Sequence, residues 1–188
     1  MTEPSFAAVA DATALAARVQ VTFERVQRER MAGLPFVNEA LRVELVGLRR
    51  WHGLWLGVLV TPWFMNLMLL PGDGTDSAHE VAAGWPEVRT GEYAPFSFPA
   101  GVMSFLAGRE GQLGEYLSCS LFSPMFEFAD HEAARQTAEA CLVALFDPAV
   151  AGGRPVAEPE SADAPAQVSK RDFLRGRWRT TAAPSQDR

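Results

Sequence analysis

Leu54 to Gly72, LWLGVLVTPWFMNLMLLPG, is the longest uncharged run of the chain, and with its N-terminal flank no formal charge occurs from Trp51 to Gly72, histidine being neutral. Such a run must leave water, either across a membrane or inside a protein core. A membrane-spanning helix needs about 20 apolar residues, and length alone meets that need. The contents argue against it. Pro62 and Asn66 sit near the middle, Gly53 and Gly57 break the first half, and neither flank carries a basic cluster. The run reads as two buried strands, Leu54–Thr61 and Asn66–Leu70, joined at Pro62-Trp63-Phe64-Met65. Turns between strands are usually built from Gly, Asn, Asp and Ser. Trp, Phe and Met at a turn have to pack on something. Either they fold back as core, or they form an exposed apolar lip that grips a partner's peptide.

The chain has 188 residues, enough for one domain and a tail, and its 48% hydrophobic content supports a core. The first 15 residues lack the basic start and apolar run of a secretory signal. Only Cys119 and Cys141 occur, with no C-x-x-C, so neither a zinc ribbon nor a thioredoxin-type motif is present. A cytoplasmic protein with reduced thiols is expected. Charge is uneven. The net charge is −6, yet residues 169–188 hold six basic against two acidic residues, a net +4, which leaves −10 on the rest. An acidic body with a basic tail is no nucleic-acid footprint. It is suited to attracting basic peptides, its own tail included.

Residues 1–8 are expected to fray, with Asp11 as helix N-cap. Leu15, Val19, Phe23 and Val26 then mark one face of a helix running to about Arg30 and stopped by Gly33. Pro35 makes 34–38 a connector. Leu41–Arg50 alternates as a half-exposed strand, and His52-Gly53 turns it into the central run, giving an antiparallel meander. Pro71 to Pro86 is loop. Its Asp73-Gly74-Thr75-Asp76-Ser77 lacks the ligand spacing and closing Glu of an EF-hand. Glu87 to Phe98 reads as an edge strand because of Pro95 and Pro99. Gly101–Gly108 fits a short helix or a strand, Arg109-Glu110-Gly111 a turn, and Tyr116–Phe122 a strand. Asp130 is a good N-cap for a helix from Ala133 to Phe146, whose Ala134, Ala138, Cys141, Leu142 and Leu145 share a face. The expected organisation is one α+β domain over 1–148, an antiparallel sheet of about five strands with a helix at each end. A flexible linker over 149–168 and a basic tail over 169–188 follow.

Sequence signatures of catalysis are missing. There is no G-x-G-x-x-G, P-loop, G-x-S-x-G or H-E-x-x-H, and the three histidines are scattered. Cys119, between Ser118 and Ser120, is the sole candidate nucleophile, with a structural thiol as the alternative. Cys141 reads as a small core residue. Nothing requires an enzyme, a cofactor or a metal.

Three segments, ERMAGLPFVN (Glu29–Asn38), WLGVLVTPWFMNLMLLPG (Trp55–Gly72) and GEYLSCSLFSPMFEFAD (Gly114–Asp130), resemble the HybE/HupJ family of [NiFe]-hydrogenase assembly chaperones. The resemblance covers about residues 10 to 147. It implies a non-enzymatic, cytoplasmic maturation factor for a membrane-associated uptake hydrogenase. Such a factor holds small or large subunit precursors before export by the twin-arginine route, and other maturation factors are further partners. It also implies an α+β fold like that of small secretion chaperones, for which a homodimer is common. Relatives with a fused rubredoxin carry an iron site, for which this chain has no paired C-x-x-C. No nucleic acid and no stable membrane insertion are expected. Candidate partner-binding residues are Trp63, Phe64, Met65 and Asn66, with Cys119, Phe122 and Met125 behind them. Two other readings stand beside this one: a thiol-dependent redox or enzymatic factor centred on Cys119, and a subunit retained on the mature hydrogenase.

The tail carries Ser169-Lys170-Arg171-Asp172-Phe173-Leu174-Arg175, which resembles the twin-arginine pattern S-R-R-x-F-L-K. Lys170 replaces the first arginine and no apolar stretch follows, so it is no ordinary export signal. Lys170, Arg171, Phe173 and Leu174 are candidates for an imitation of the client's signal. A disordered basic tail is the alternative.

Overall fold

The computed structural model describes residues 6–72, 85–111 and 113–152. Six antiparallel strands form one sheet: β1 (Glu44–Trp51), β2 (Leu54–Val60), β3 (Met65–Leu70), β4 (Tyr93–Phe98), β5 (Gly101–Glu110) and β6 (Gly114–Phe122), in the order β1-β2-β3-β6-β5-β4. The stretch that fitted helix or strand is β5, so the sheet has six strands rather than about five. It continues through Arg109 and Glu110, where a turn is expected from sequence. The edge strand predicted from Glu87 begins only at Tyr93 and does lie at the sheet edge.

A helix covers each face. Helix α1 (Phe6–Val26) lays Leu15, Val19, Phe23 and Val26 on Val43, Trp55, Leu59, Met68 and Leu70. Helix α2 (His131–Leu145) lays Ala134, Ala138, Cys141, Leu142 and Leu145 on the other face, against a core that includes Leu56, Val58, Leu67 and Cys119. Both stripes are those their spacing predicts. Two-sided cover explains the uncharged run. Every residue of β2 is buried, so alternation is lost and the strand reads as continuously apolar. All of β3 is buried too, save the half-buried Asn66.

The helix ends differ from expectation in one case. Asp130 caps α2, its Oδ1 accepting from the Ala133 amide at 2.8 Å. Asp11, by contrast, lies inside α1, which is already helical at Phe6. The chain beyond Val26 widens into a π-helical turn, Gln27–Met31, before Gly33 at φ +75° ends it.

The sheet curls until its two edges meet. The β5–β6 ladder runs only from Leu106↔Ser118 to Glu110↔Gly114, whereas β5 from Gly101 to Leu106 pairs with β4. The β4–β5 hairpin thus folds towards the α2 face. There Phe98 stacks on Trp51 of β1 at 4.2 Å and meets Phe146 edge-on at 6.1 Å. The Ala100 amide donates to the Leu145 carbonyl at 3.2 Å. Arg49 lies over the Phe146 ring at 4.4 Å and donates to the Leu142 carbonyl at 3.0 Å, and its burial lowers the guanidinium pKa. A bulge between Val46 and Arg49 bends β1 into this arrangement. Gly47 occupies it at φ +63°, with Leu142 filling the space where a Cβ would stand.

Candidate partner-binding surface

The apolar turn between β2 and β3 is held by Thr61. Its hydroxyl accepts from the Phe64 amide at 2.9 Å and the Trp63 amide at 3.3 Å, and the Thr61 amide donates to the Phe64 carbonyl at 2.9 Å. The threonine does locally what Asn or Gly does in other turns. Trp63 is thereby turned inward and is only 6% exposed, packed with α1. Met65 is fully buried on the opposite face. The lip reading is corrected for both: with a helix layer on each face, large side chains at this turn have core to enter. Phe64 stays half-buried, edge-on to Trp63 at 5.5 Å and Phe23 at 6.0 Å.

The remaining sequence candidates divide the same way. Phe122 is half-buried and contacts the Phe128 ring at 5.1 Å. Met125 is fully buried, and Cys119 is 1% exposed within the α2-side core. Asn66 pairs in register with Ser120, and its Oδ1 is buried with no hydrogen-bond partner. Register and contacts bring most of this set to one end of the sheet. Met65 pairs with Phe122, and the Ser123 hydroxyl donates to the Trp63 carbonyl at 3.5 Å. Lys170, Arg171, Phe173 and Leu174 lie outside the described residues, as does the Asp73–Ser77 loop.

The residue that organises this end is one the sequence reading passed over as connector. The Asn38 amide side chain donates to the Phe128 carbonyl at 2.8 Å and the Met125 carbonyl at 3.1 Å, and its Oδ1 accepts from Ala40 N at 3.1 Å. Its backbone N–H donates to the Pro62 carbonyl at 2.8 Å. One residue therefore ties together the three segments that carried the resemblance. Its position at the end of the first of them was the available signal. Two hydrogen-bonded turns flank it, Val37 N to Leu34 O and Phe128 N to Met125 O. Each turn is anchored, yet each holds a large apolar side chain in water. Leu34 is 37% exposed, Phe36 40% and Phe126 60%. Glu39, Glu127 and Asp130 are exposed beside them in the chain.

Next to this surface, His131 is buried at the start of α2. Its Nδ1 accepts from the Arg42 amide at 3.3 Å, which puts the ring proton on Nε2, 2.5 Å from Glu44 Oε2. The pair docks α2 on β1. Glu132 is held down to about 2 by the hydrogen bond from Arg135 and that from Gln136. Burial pushes the Cys141 thiol up to about 12, so it is protonated and poorly nucleophilic at neutral pH. Among the described residues no group of three or more His, Cys, Asp and Glu is placed to hold a metal, and no helix is long and apolar enough to cross a membrane. Aromatic side chains held in water on anchored turns beside carboxylates form a candidate interaction surface.

Known proteins share this architecture and sequence. The family described as "[NiFe]-hydrogenase assembly, chaperone, HybE" matches residues 14–176. The hydrogenase expression/formation protein HupJ of Bradyrhizobium diazoefficiens is 41% identical over 167 residues, 89% of this chain and 90% of that protein. The probable rubredoxin HupJ of Rhodobacter capsulatus is 37% identical over 124 residues, 66% of this chain but 42% of that longer protein. The solution structure of HybE from Escherichia coli superposes with a TM-score of 0.54 at 26% identity, covering 82% of this chain and 87% of that one. With a family match spanning most of its length and a solved relative of the same α+β fold, this chain belongs to the HybE family of [NiFe]-hydrogenase assembly chaperones.

Proposed function

We propose that this chain is a cytoplasmic, non-enzymatic chaperone that holds precursors of [NiFe]-hydrogenase subunits during assembly, engaging a region that includes the twin-arginine signal. The observation that carries this reading is the pair of exposed phenylalanines, Phe36 and Phe126, on turns locked to each other through Asn38. Large apolar groups held in water at rigid positions lose little entropy on binding. The carboxylates of Glu39, Glu127 and Asp130 add attraction for a basic segment such as an arginine pair. Phe64 and Phe122, half-buried at the same end, extend the apolar contact. Trp63, Met65, Cys119 and Met125 support that surface from below.

The test is a pull-down from cells that express the hydrogenase operon, with the full chain as bait. Recovery of a subunit precursor still bearing its signal is expected, and Phe126→Ala with Glu127→Lys should cut that recovery at least fivefold while leaving the protein folded. Recovery of mature hydrogenase in place of precursor would point to a retained subunit instead. A thiol-centred activity has little support, because Cys119 is closed off from solvent; Cys119→Ser should leave hydrogenase maturation unchanged.

A further inference from the structure

The Phe36–Phe126 surface has a chemically matched segment within the same chain. Two exposed rings beside exposed acids fit a short stretch in which apolar residues adjoin basic ones. Ser169–Gly176, SKRDFLRG, is such a stretch, with Lys170, Arg171 and Arg175 around Phe173 and Leu174. Charge favours the encounter: the last 20 residues carry net +4 and the remainder −10.

Reach favours it as well. Helix α2 starts directly after the Met125–Phe128 turn and its 15 residues carry the chain about 22 Å away from the surface. Sixteen residues, 153–168, lie between Gly152 and Ser169, and a stretch of that length can bridge at most about 53–58 Å. That reach exceeds the length of α2, so the segment can return to the surface, and tethering raises its effective concentration there. The family match, finally, does not stop with the folded domain. It runs on across the connection and ends at residue 176, the last residue of this segment.

We propose that residues 169–176 dock on this chain's own Phe36–Phe126 surface. Phe173 and Leu174 meet the two rings, and Lys170 and Arg171 face Glu127 and Glu39. The occupant is the chain itself, so the inference goes beyond precursor capture and does not depend on it. Where a precursor uses the same surface, it has to displace the segment.

The experiment places a photo-crosslinker in the full chain, Phe126→p-benzoylphenylalanine, and irradiates the purified protein alone at low micromolar concentration. The expected product is an intramolecular cross-link to the peptide containing residues 170–175, with a yield independent of protein concentration. It should fall at least fivefold with Phe173→Ala plus Leu174→Ala, and likewise with Arg171→Glu. Combining Arg171→Glu with Glu127→Arg should restore it. Phe36→p-benzoylphenylalanine gives a second vantage on the same contact, and thermal unfolding checks that each variant folds. Cross-links confined to other segments, cross-links between two copies that rise with concentration, no cross-link, or a yield indifferent to the Phe173 and Leu174 changes would each overturn the proposal. No client is present, so these failures are distinct from a failure to capture precursor.

Discussion

Asn38 shows what a single side chain in a connector is asked to do. It satisfies two carbonyls of a turn almost 90 positions away, and its backbone reaches Pro62. Asn38→Ala leaves those carbonyls without a donor and should cost about 2 kcal/mol, read as a lower urea midpoint at unchanged slope. Trp63→Ala empties a core site and should cost about 3–5 kcal/mol by thermal unfolding. Phe126→Ala, at an exposed site, should stay within about 0.5 kcal/mol of the parent. Cys119 and Cys141 should both resist an aromatic disulfide reagent at neutral pH until the protein is unfolded, since both are buried and Cys141 is protonated. At this scale the sequence was readable where a role is local. Asp130 as a cap needs only its own next three residues. Asn38 acts on partners that folding brings in, and Trp63 faces inward for a reason that lies in another element.

Elements were more legible than residues because periodicity is a property of a stretch. Spacing alone placed both helical stripes and the β1–β2–β3 meander. The β4–β5 hairpin was harder. GVMSFLAG shows no clean period in residue type, because apolar Val102 and Leu106 fill positions that alternate with the buried Met103, Phe105 and Ala107. The π-helical turn after α1 left no trace in residue type. Gly47 marks an element whose shape depends on one position. Gly47→Ala meets both a positive φ and the Leu142 side chain, and should cost about 1–3 kcal/mol, with Leu142→Ala in the same protein relieving the clash but not the backbone strain. Thermal unfolding of the two variants separates those contributions.

At the scale of the molecule, the closed face and the proposed binding end depend on each other. Trp51 and Phe98 sit on opposite edges of the sheet, and their stack lets six strands wrap one core without a barrel ladder. α2 lies under that closure at its C-terminal end and supports the Phe126 turn at its N-terminal end. A family resemblance made α+β legible in advance, but not the curl, which arises where the β5–β6 pairing stops.

The Asn38 ties carry a consequence in time. Their partners lie 87 and 90 positions downstream, so the surface at Phe36 cannot be completed on the ribosome until the chain has emerged through Phe128 and closed on itself. A copy still being synthesised, or one only partly folded, presents two loose aromatic residues rather than a platform. Under the function proposed above, competence to bind is thereby tied to having folded, and an immature copy lacks the surface that would hold a client.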